Sequence, residues 1–132
     1  MRVVIMGASR VAATLVTLLE SEGHNVVVID IDPDGFNRLP ENFQGEKVLG
    51  SGTELDIYKK INLGPEDGFV AATNSENVNI SAVRMVKNNF KCAKTAKLLF
   101  DPLRARAFSE VEKGIICPIL DAAKQCKIMM VG

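Results

Sequence analysis

Two short stretches carry residue types suited to holding an anion and a sugar. Gly7-Ala8-Ser9-Arg10-Val11-Ala12 follows the apolar run Val3-Val4-Ile5-Met6 and opens a segment with helical periodicity. About twenty residues further on, Val26-Val27-Val28-Ile29 ends on Asp30. A glycine turn between a strand and a helix aims free backbone N–H groups at a phosphate, and the helix dipole favours negative charge there. Gly7, Ala8, Ser9, Arg10 and Val11 are therefore the candidate anion turn. A carboxylate at the end of the second strand accepts hydrogen bonds from both hydroxyls of a ribose. Asp30, with Ile31 beside it, is the candidate sugar site. The same carboxylate would repel a 2′-phosphate, which favours NAD or an adenine nucleotide over NADP. Asp30 also fits a plain turn role, capping the next segment with Asp32 and Asp34.

The turn departs from the full glycine fingerprint. Gly7 supplies the tight turn and Ala12 the close helix packing, but Ser9 stands where a second glycine normally lets the diphosphate approach. Its hydroxyl could donate to a phosphate, or its bulk could narrow the groove. Two further segments belong to the candidate site. Gly50-Ser51-Gly52-Thr53 follows the third expected strand, where small residues leave room for an adenine ring and Ser51 could bond to it. The same glycines equally serve an ordinary turn. Thr73-Asn74 follows the fourth strand, beside the point where the strand order reverses, and could meet the second half of a dinucleotide. Thr73 with Glu76 also has the spacing of a helix capping box. No catalytic set accompanies these residues. His24 lies in a helix-to-strand turn, position 11 is Val where a nucleophile elbow needs glycine, and no phosphate-loop lysine or metal spacing occurs.

The elements that hold these residues alternate. Strands are expected at 2–6, 25–30, 47–49, 69–72, 95–100 and 115–117. Helices are expected at 10–22, 34–39, 53–61, 74–87, 101–112 and 119–131. Val11, Ala12, Leu15, Leu18 and Leu19 form the apolar stripe of the first long helix, and Gly23 is its left-handed cap. The strands are unalternating apolar runs, as in parallel sheets covered on both faces. The whole predicts a Rossmann-like, doubly wound α/β fold: a six-stranded parallel sheet with helices on both faces.

The chain has 132 residues, enough for one domain with a sizeable core. Sixteen basic and sixteen acidic residues balance, which argues against a general binder of nucleic acid or anionic membrane. No apolar run is long enough for a membrane span, so direct insertion is not expected. Cys92, Cys117 and Cys126 are odd in number and widely spaced, and read as buried thiols of a reduced, cytoplasmic protein.

As a set these motifs resemble a known family. Val3-Val4-Ile5-Met6-Gly7, then Glu22-Gly23-His24-Asn25-Val26-Val27-Val28-Ile29-Asp30, then Gly50-Ser51-Gly52-Thr53, are similar to the start of an RCK domain, also called KTN or TrkA-N. Ala71-Ala72-Thr73-Asn74 with Val78-Asn79-Ile80, Ala96-Lys97, Asp101-Pro102 and Cys117-Pro118 continue the likeness over residues 1–118. The resemblance implies a regulatory domain without catalysis, on the cytoplasmic side of a Trk/Ktr potassium uptake system or a potassium channel. It implies binding of NAD(H), or alternatively ATP, ADP or AMP, and assembly as a homodimer or higher ring beside a membrane potassium transporter or channel subunit.

Carried over by position, Gly7, Ser9 and Arg10 would meet the phosphates, Asp30 the ribose, Ser51 the adenine, Thr73 and Asn74 the distal ribose, and Lys97 the phosphates. The chain departs from the family at Ser9 (usually glycine), Ser51 (usually aspartate) and Lys97 (usually arginine). Lysine keeps the charge and loses the bidentate fork. Residues 1–118 are then the nucleotide-binding domain. Residues 119–132 are a crossover or dimerisation helix, with Ile119, Leu120, Ala123, Cys126, Met129 and Met130 as its apolar surface, continuing into a longer protein. Because Ile128-Met129-Met130-Val131 is apolar, this helix should fold back on the domain or pack on a partner. Two other readings share the fold: a fragment of an NAD-dependent oxidoreductase, and a degenerate dimerisation module without a ligand.

Overall fold

A computed structural model describes residues 1–132. Twelve elements alternate along the chain: β1 (Arg2–Met6), α1 (Arg10–Ser21), β2 (Asn25–Asp30), a 3-10 helix (Pro33–Arg38), β3 (Glu46–Leu49), α2 (Leu55–Lys60), β4 (Gly68–Ala71), α3 (Glu76–Phe90), β5 (Lys94–Leu98), α4 (Pro102–Ser109), β6 (Ile115–Ile116) and α5 (Pro118–Val131). All pairings are parallel, in the order β3-β2-β1-β4-β5-β6. The order reverses at β1, which has β2 on one side and β4 on the other. A crevice therefore opens at the carboxyl end of β1, where the chain leaves for α1 and where β4 begins the second half of the sheet.

Alternation of side chains across the sheet divides the core in two. Val3, Ile5, Val26 and Val28 face α1 and pack on Ala12 and Val16. Val4, Met6, Val27, Ile29, Phe69 and Ala71 face α2 and α3 and pack on Tyr58, Ala82, Val83 and Val86. Each fully buried valine or isoleucine contributes about 1.5–3 kcal/mol relative to exposure, so the central strands are the rigid part of the molecule. The Tyr58 ring meets Phe69 edge-on at 5.5 Å between centroids, and its hydroxyl donates to Gly52 O at 2.5 Å. That bond fastens the turn after β3 to the core, and burial raises the Tyr58 pKa so the phenol stays protonated.

The helices differ from expectation in instructive ways. On α1 the buried line is Ala12 and Val16, with Val11 and Leu18 exposed, so the stripe is rotated from the one read in the sequence. Gly23 takes the left-handed conformation that closes this helix (φ 84°). The capping box at Thr73 and Glu76 does not form. Ser75 is the N-cap of α3 and accepts from Val78 N, because the Thr73 side chain is bonded to Asn79 instead. Glu76 turns away, accepts from Phe100 N and Asp101 N at 2.7 and 2.8 Å, and pairs with Arg104. Asp101 caps α4 ahead of Pro102, as its sequence indicates. Helix α5 has no fully buried residue: Leu120 in its first turn packs on the cluster of Ile80, Leu99, Ala105 and Cys117, and beyond residue 120 the helix does not fold back on the domain. Met129, Met130 and Val131 are exposed, and so is Cys126, unlike the buried Cys92 and Cys117. No helix is long and apolar enough to cross a membrane.

Candidate functional site

The crevice at the carboxyl end of β1 is a cavity of about 520 Å³. Gly7 shapes its floor. With φ at 100°, it holds a backbone conformation open to glycine, and a Cβ there would lie 2.8 Å from Thr73 N. The turn is thus pressed against β4 with no room for a side chain. Gly7 N donates to Ile29 O, and Ala72 N donates to Met6 O, which lock the turn to both neighbouring strands.

The next donors along the chain are divided between two uses. Ala8 N donates to Asp30 Oδ2 at 2.8 Å. Ala12 N donates to Ser9 Oγ at 3.2 Å, so Ser9 is the N-cap of α1. The Ser9 oxygen is drawn back onto the helix end, and its hydroxyl proton has no acceptor in the protein. Between those two bonds, the N–H groups of Ser9, Arg10 and Val11 have no protein acceptor. These are three adjacent free donors at the start of a twelve-residue helix, the kind of end that favours an anion. Val11 supplies only its amide, since its side chain is exposed and does not line the cavity. Arg10 is exposed at the rim and forms no ion pair.

Asp30 does more than end a strand. One carboxylate oxygen holds Ala8 N and the other accepts from Asp32 N at 2.9 Å. A carboxylate has about four acceptor positions, so a pair remains for a ligand diol. Gly35 packs directly on this group: a Cβ there would sit 2.8 Å from Asp30 Oδ2. Asp30 thus ties the turn and the segment after β2 together while keeping lone pairs free.

The remaining wall comes from Ile31, Ser51, Gly52, Thr53, Thr73 and Asn74, all of which line the cavity. Ser51 Oγ and Thr53 Oγ1 share a 2.8 Å hydrogen bond, and Gly52 lies against Met6, where a Cβ would collide with the sulfur. Arg38, at the end of the 3-10 helix, is a wall residue that sequence reasoning missed. Its guanidinium reaches across to Ala8 O at 3.3 Å and has no carboxylate partner. The available signal was its place just after Asp30, on the segment that must border a ribose. Asp32, Gly50 and Val78 complete the lining.

Lys97 is not part of this site. It lies within β5 opposite Ala71, so side-chain alternation directs it to the α3 face rather than to the crevice. It is buried there and paired with Glu112. The hydrogen bond from Lys97 holds the Glu112 carboxyl below the usual carboxylate range.

Residues 3–115 match the model of the TrkA-N domain. The Streptomyces coelicolor Trk system potassium uptake protein TrkA is 36% identical over 111 residues, covering 84% of this chain and 50% of that protein. The Pyrococcus abyssi TrkA homolog is 29% identical over 113 residues, 86% of this chain and 50% of its own length. The chain thus spans about half the length of the curated relatives it matches. Among solved structures, the TrkA-N domain of Escherichia coli inner membrane protein YbaL superposes with a TM-score of 0.81 at 14% identity, covering 98% of this chain and 96% of that one. The AMP-bound Kef C-terminal domain of Shewanella denitrificans gives 0.77 at 15% identity (98% and 78% covered). The GsuK channel bound to NAD gives 0.71 at 19% identity (89% and 21% covered). At such identities the structures establish the fold, a Rossmann-like parallel sheet, while the family rests on the sequence match. The chain belongs to the TrkA-N domain family.

Proposed function

We propose that this domain is a nucleotide sensor of a potassium transport system, and that its ligand is NAD(H), with AMP, ADP or ATP as the alternative. The observation that carries the reading is the row of three free amides at Ser9, Arg10 and Val11, flanked by the Asp30 carboxylate with lone pairs to spare. In this reading the amides and Arg10 hold phosphate, Asp30 holds the adenosine ribose, and Ile31, Ser51, Gly52 and Thr53 border the adenine. Thr73 and Asn74 face the distal sugar. The TrkA names of the relatives support the potassium transport role, and the NAD, ADP and AMP bound by the GsuK and Kef neighbours support the ligand class.

Sensing here is a shift between arrangements of subunits, not turnover. A ligand that binds one arrangement a few kcal/mol more tightly moves the population toward it. The exposed apolar residues of α5, Ile119, Ile128, Met129 and Met130, suit contact with a second copy of the chain in a dimer or ring. Such an assembly would work at the cytoplasmic face of a membrane transporter or channel subunit.

A thermal-shift panel of NAD, NADH, NADPH, AMP, ADP and ATP tests the reading. A ligand at a hundred times its Kd should stabilise the fold by about 2.7 kcal/mol. Asp30 makes NADPH the weakest of the dinucleotides. No shift with any of the six refutes the sensor reading.

A further inference from the structure

Asn79 is fully buried, does not line the cavity, and makes the densest set of hydrogen bonds near it. Its Nδ2 donates to Thr73 O and to Leu98 O, both at 3.0 Å. Two carbonyl partners fix which end of the carboxamide is nitrogen, so Oδ1 is an acceptor by elimination. That oxygen receives Thr73 N at 3.1 Å and Thr73 Oγ1 at 2.6 Å. Ser75 O, at 3.2 Å, is a second acceptor for the same hydroxyl proton. Thr73 therefore has no donor left for the cavity it lines. Its N–H and its hydroxyl proton are both committed inward, and its methyl group lies against Gly7. What it offers a ligand is that methyl and an oxygen with an unfilled lone pair, since Ser75 N takes only one.

The wall of the crevice thus carries a polarity pattern. Asp30 on the β2 side accepts, the Ser9–Val11 amides in the middle donate, and Thr73 on the β4 side accepts. We propose that Asn79 is a positioning residue that fixes Thr73 as an acceptor, so that the site takes a ligand with internal phosphate and a hydroxyl donor at each end, and disfavours one that ends in phosphate. Asn74, with its exposed carboxamide, can turn either way and does not discriminate; Thr73 does. This inference rests on the nucleotide reading above.

Calorimetric titration of NADH, ATP and AMP into the full chain and its variants tests it. Thr73→Ala removes the acceptor and Thr73→Ser keeps it. NADH should bind Thr73→Ala about three- to tenfold more weakly than Thr73→Ser, the worth of one neutral hydrogen bond. AMP, which ends before the β4 side, should bind both equally. In Asn79→Ala the Thr73 N–H loses its acceptor and the hydroxyl proton keeps only Ser75 O, the longer of its two bonds, so the ATP-to-NADH affinity ratio should rise, a change that loosened packing alone would not produce. If Asn79→Ala does not fold, the Thr73 pair still decides. Equal NADH affinity in the two Thr73 variants, or an equal loss for all three ligands, overturns the proposal. Failure of every ligand with the unaltered chain would instead remove the nucleotide reading, and this inference with it.

Discussion

The two ends of β1 treat their polar groups in opposite ways. At its start, the Arg2 guanidinium is filled: Nε and Nη2 bond the Asp67 carboxylate, Nη1 bonds Ile61 O at 2.8 Å, and Nη2 also reaches Asn62 O. Burial works against the Asp67 charge, but the bonds from Arg2 and Gly64 N outweigh it and lower the Asp67 pKa. At the other end of the same strand, two arginines and the free amides of Ser9 and Arg10 border a cavity, with the free amide of Val11 next along the helix, and the sole protein bond among them is Arg38 to Ala8 O. An arginine with all three nitrogens bonded to protein acceptors is a clamp holding α2 to the sheet. Donors left open beside a glycine that admits no side chain are free to meet a ligand, as proposed above. The strand is the same, and the difference lies in what the chain itself supplies as acceptors.

Four predictions press on that contrast. The largest effect is expected from Gly7→Ala, which must place a Cβ against Thr73 N at a φ of 100°. It should lose about 3 kcal/mol of stability in urea unfolding. Asp30→Ala should weaken adenine-nucleotide binding by about 1.5–3 kcal/mol, a charge-assisted bond to a sugar diol, and calorimetry giving unchanged affinity would remove Asp30 from the site. Arg2→Ala should cost about 1–2 kcal/mol of stability, discounted because the side chain is partly exposed, while nucleotide affinity stays as it was. A loss of affinity there would show that the two ends are not independent.

The smallest effect is on acid stability. The N–H groups of Asp101 and Phe100, with Arg104, hold the Glu76 carboxyl below its ordinary range, and Lys97 does the same for Glu112. Carboxyls with depressed folded pKa values stabilise above the ordinary range and lose that contribution as pH falls through the folded values. The thermal midpoint should therefore decline between about pH 5 and about pH 3, and Glu76→Gln should flatten part of that decline.

Much of this contrast was legible in the residues. The unalternating runs at β1 and β2 mark strands covered on both faces, and Gly7 and Asp30 announce the turn and the acid by type and spacing. The cavity walls at Ser51–Thr53 and Thr73–Asn74 followed from strand order. What escaped depended on side-chain direction. Lys97 matches a motif by position, yet alternation along β5 turns it toward α3 and Glu112. The spacing of Thr73 and Glu76 suggests a cap, and spacing cannot show that Asn79, six residues on, competes for the Thr73 hydroxyl. Arg38 was missed because nothing in its neighbours tells which way a 3-10 helix points its last side chain.

The unpaired amides after Gly7 are proposed above to hold the ligand's phosphate. Amide NMR of the 15N-labelled 132-residue chain during NADH addition reads those groups one by one. Saturable shifts should be largest at the amides of Ser9, Arg10 and Val11, with Arg2 and its partners unmoved. Shifts that bypass those three residues, in a chain that binds NADH, would contradict that role.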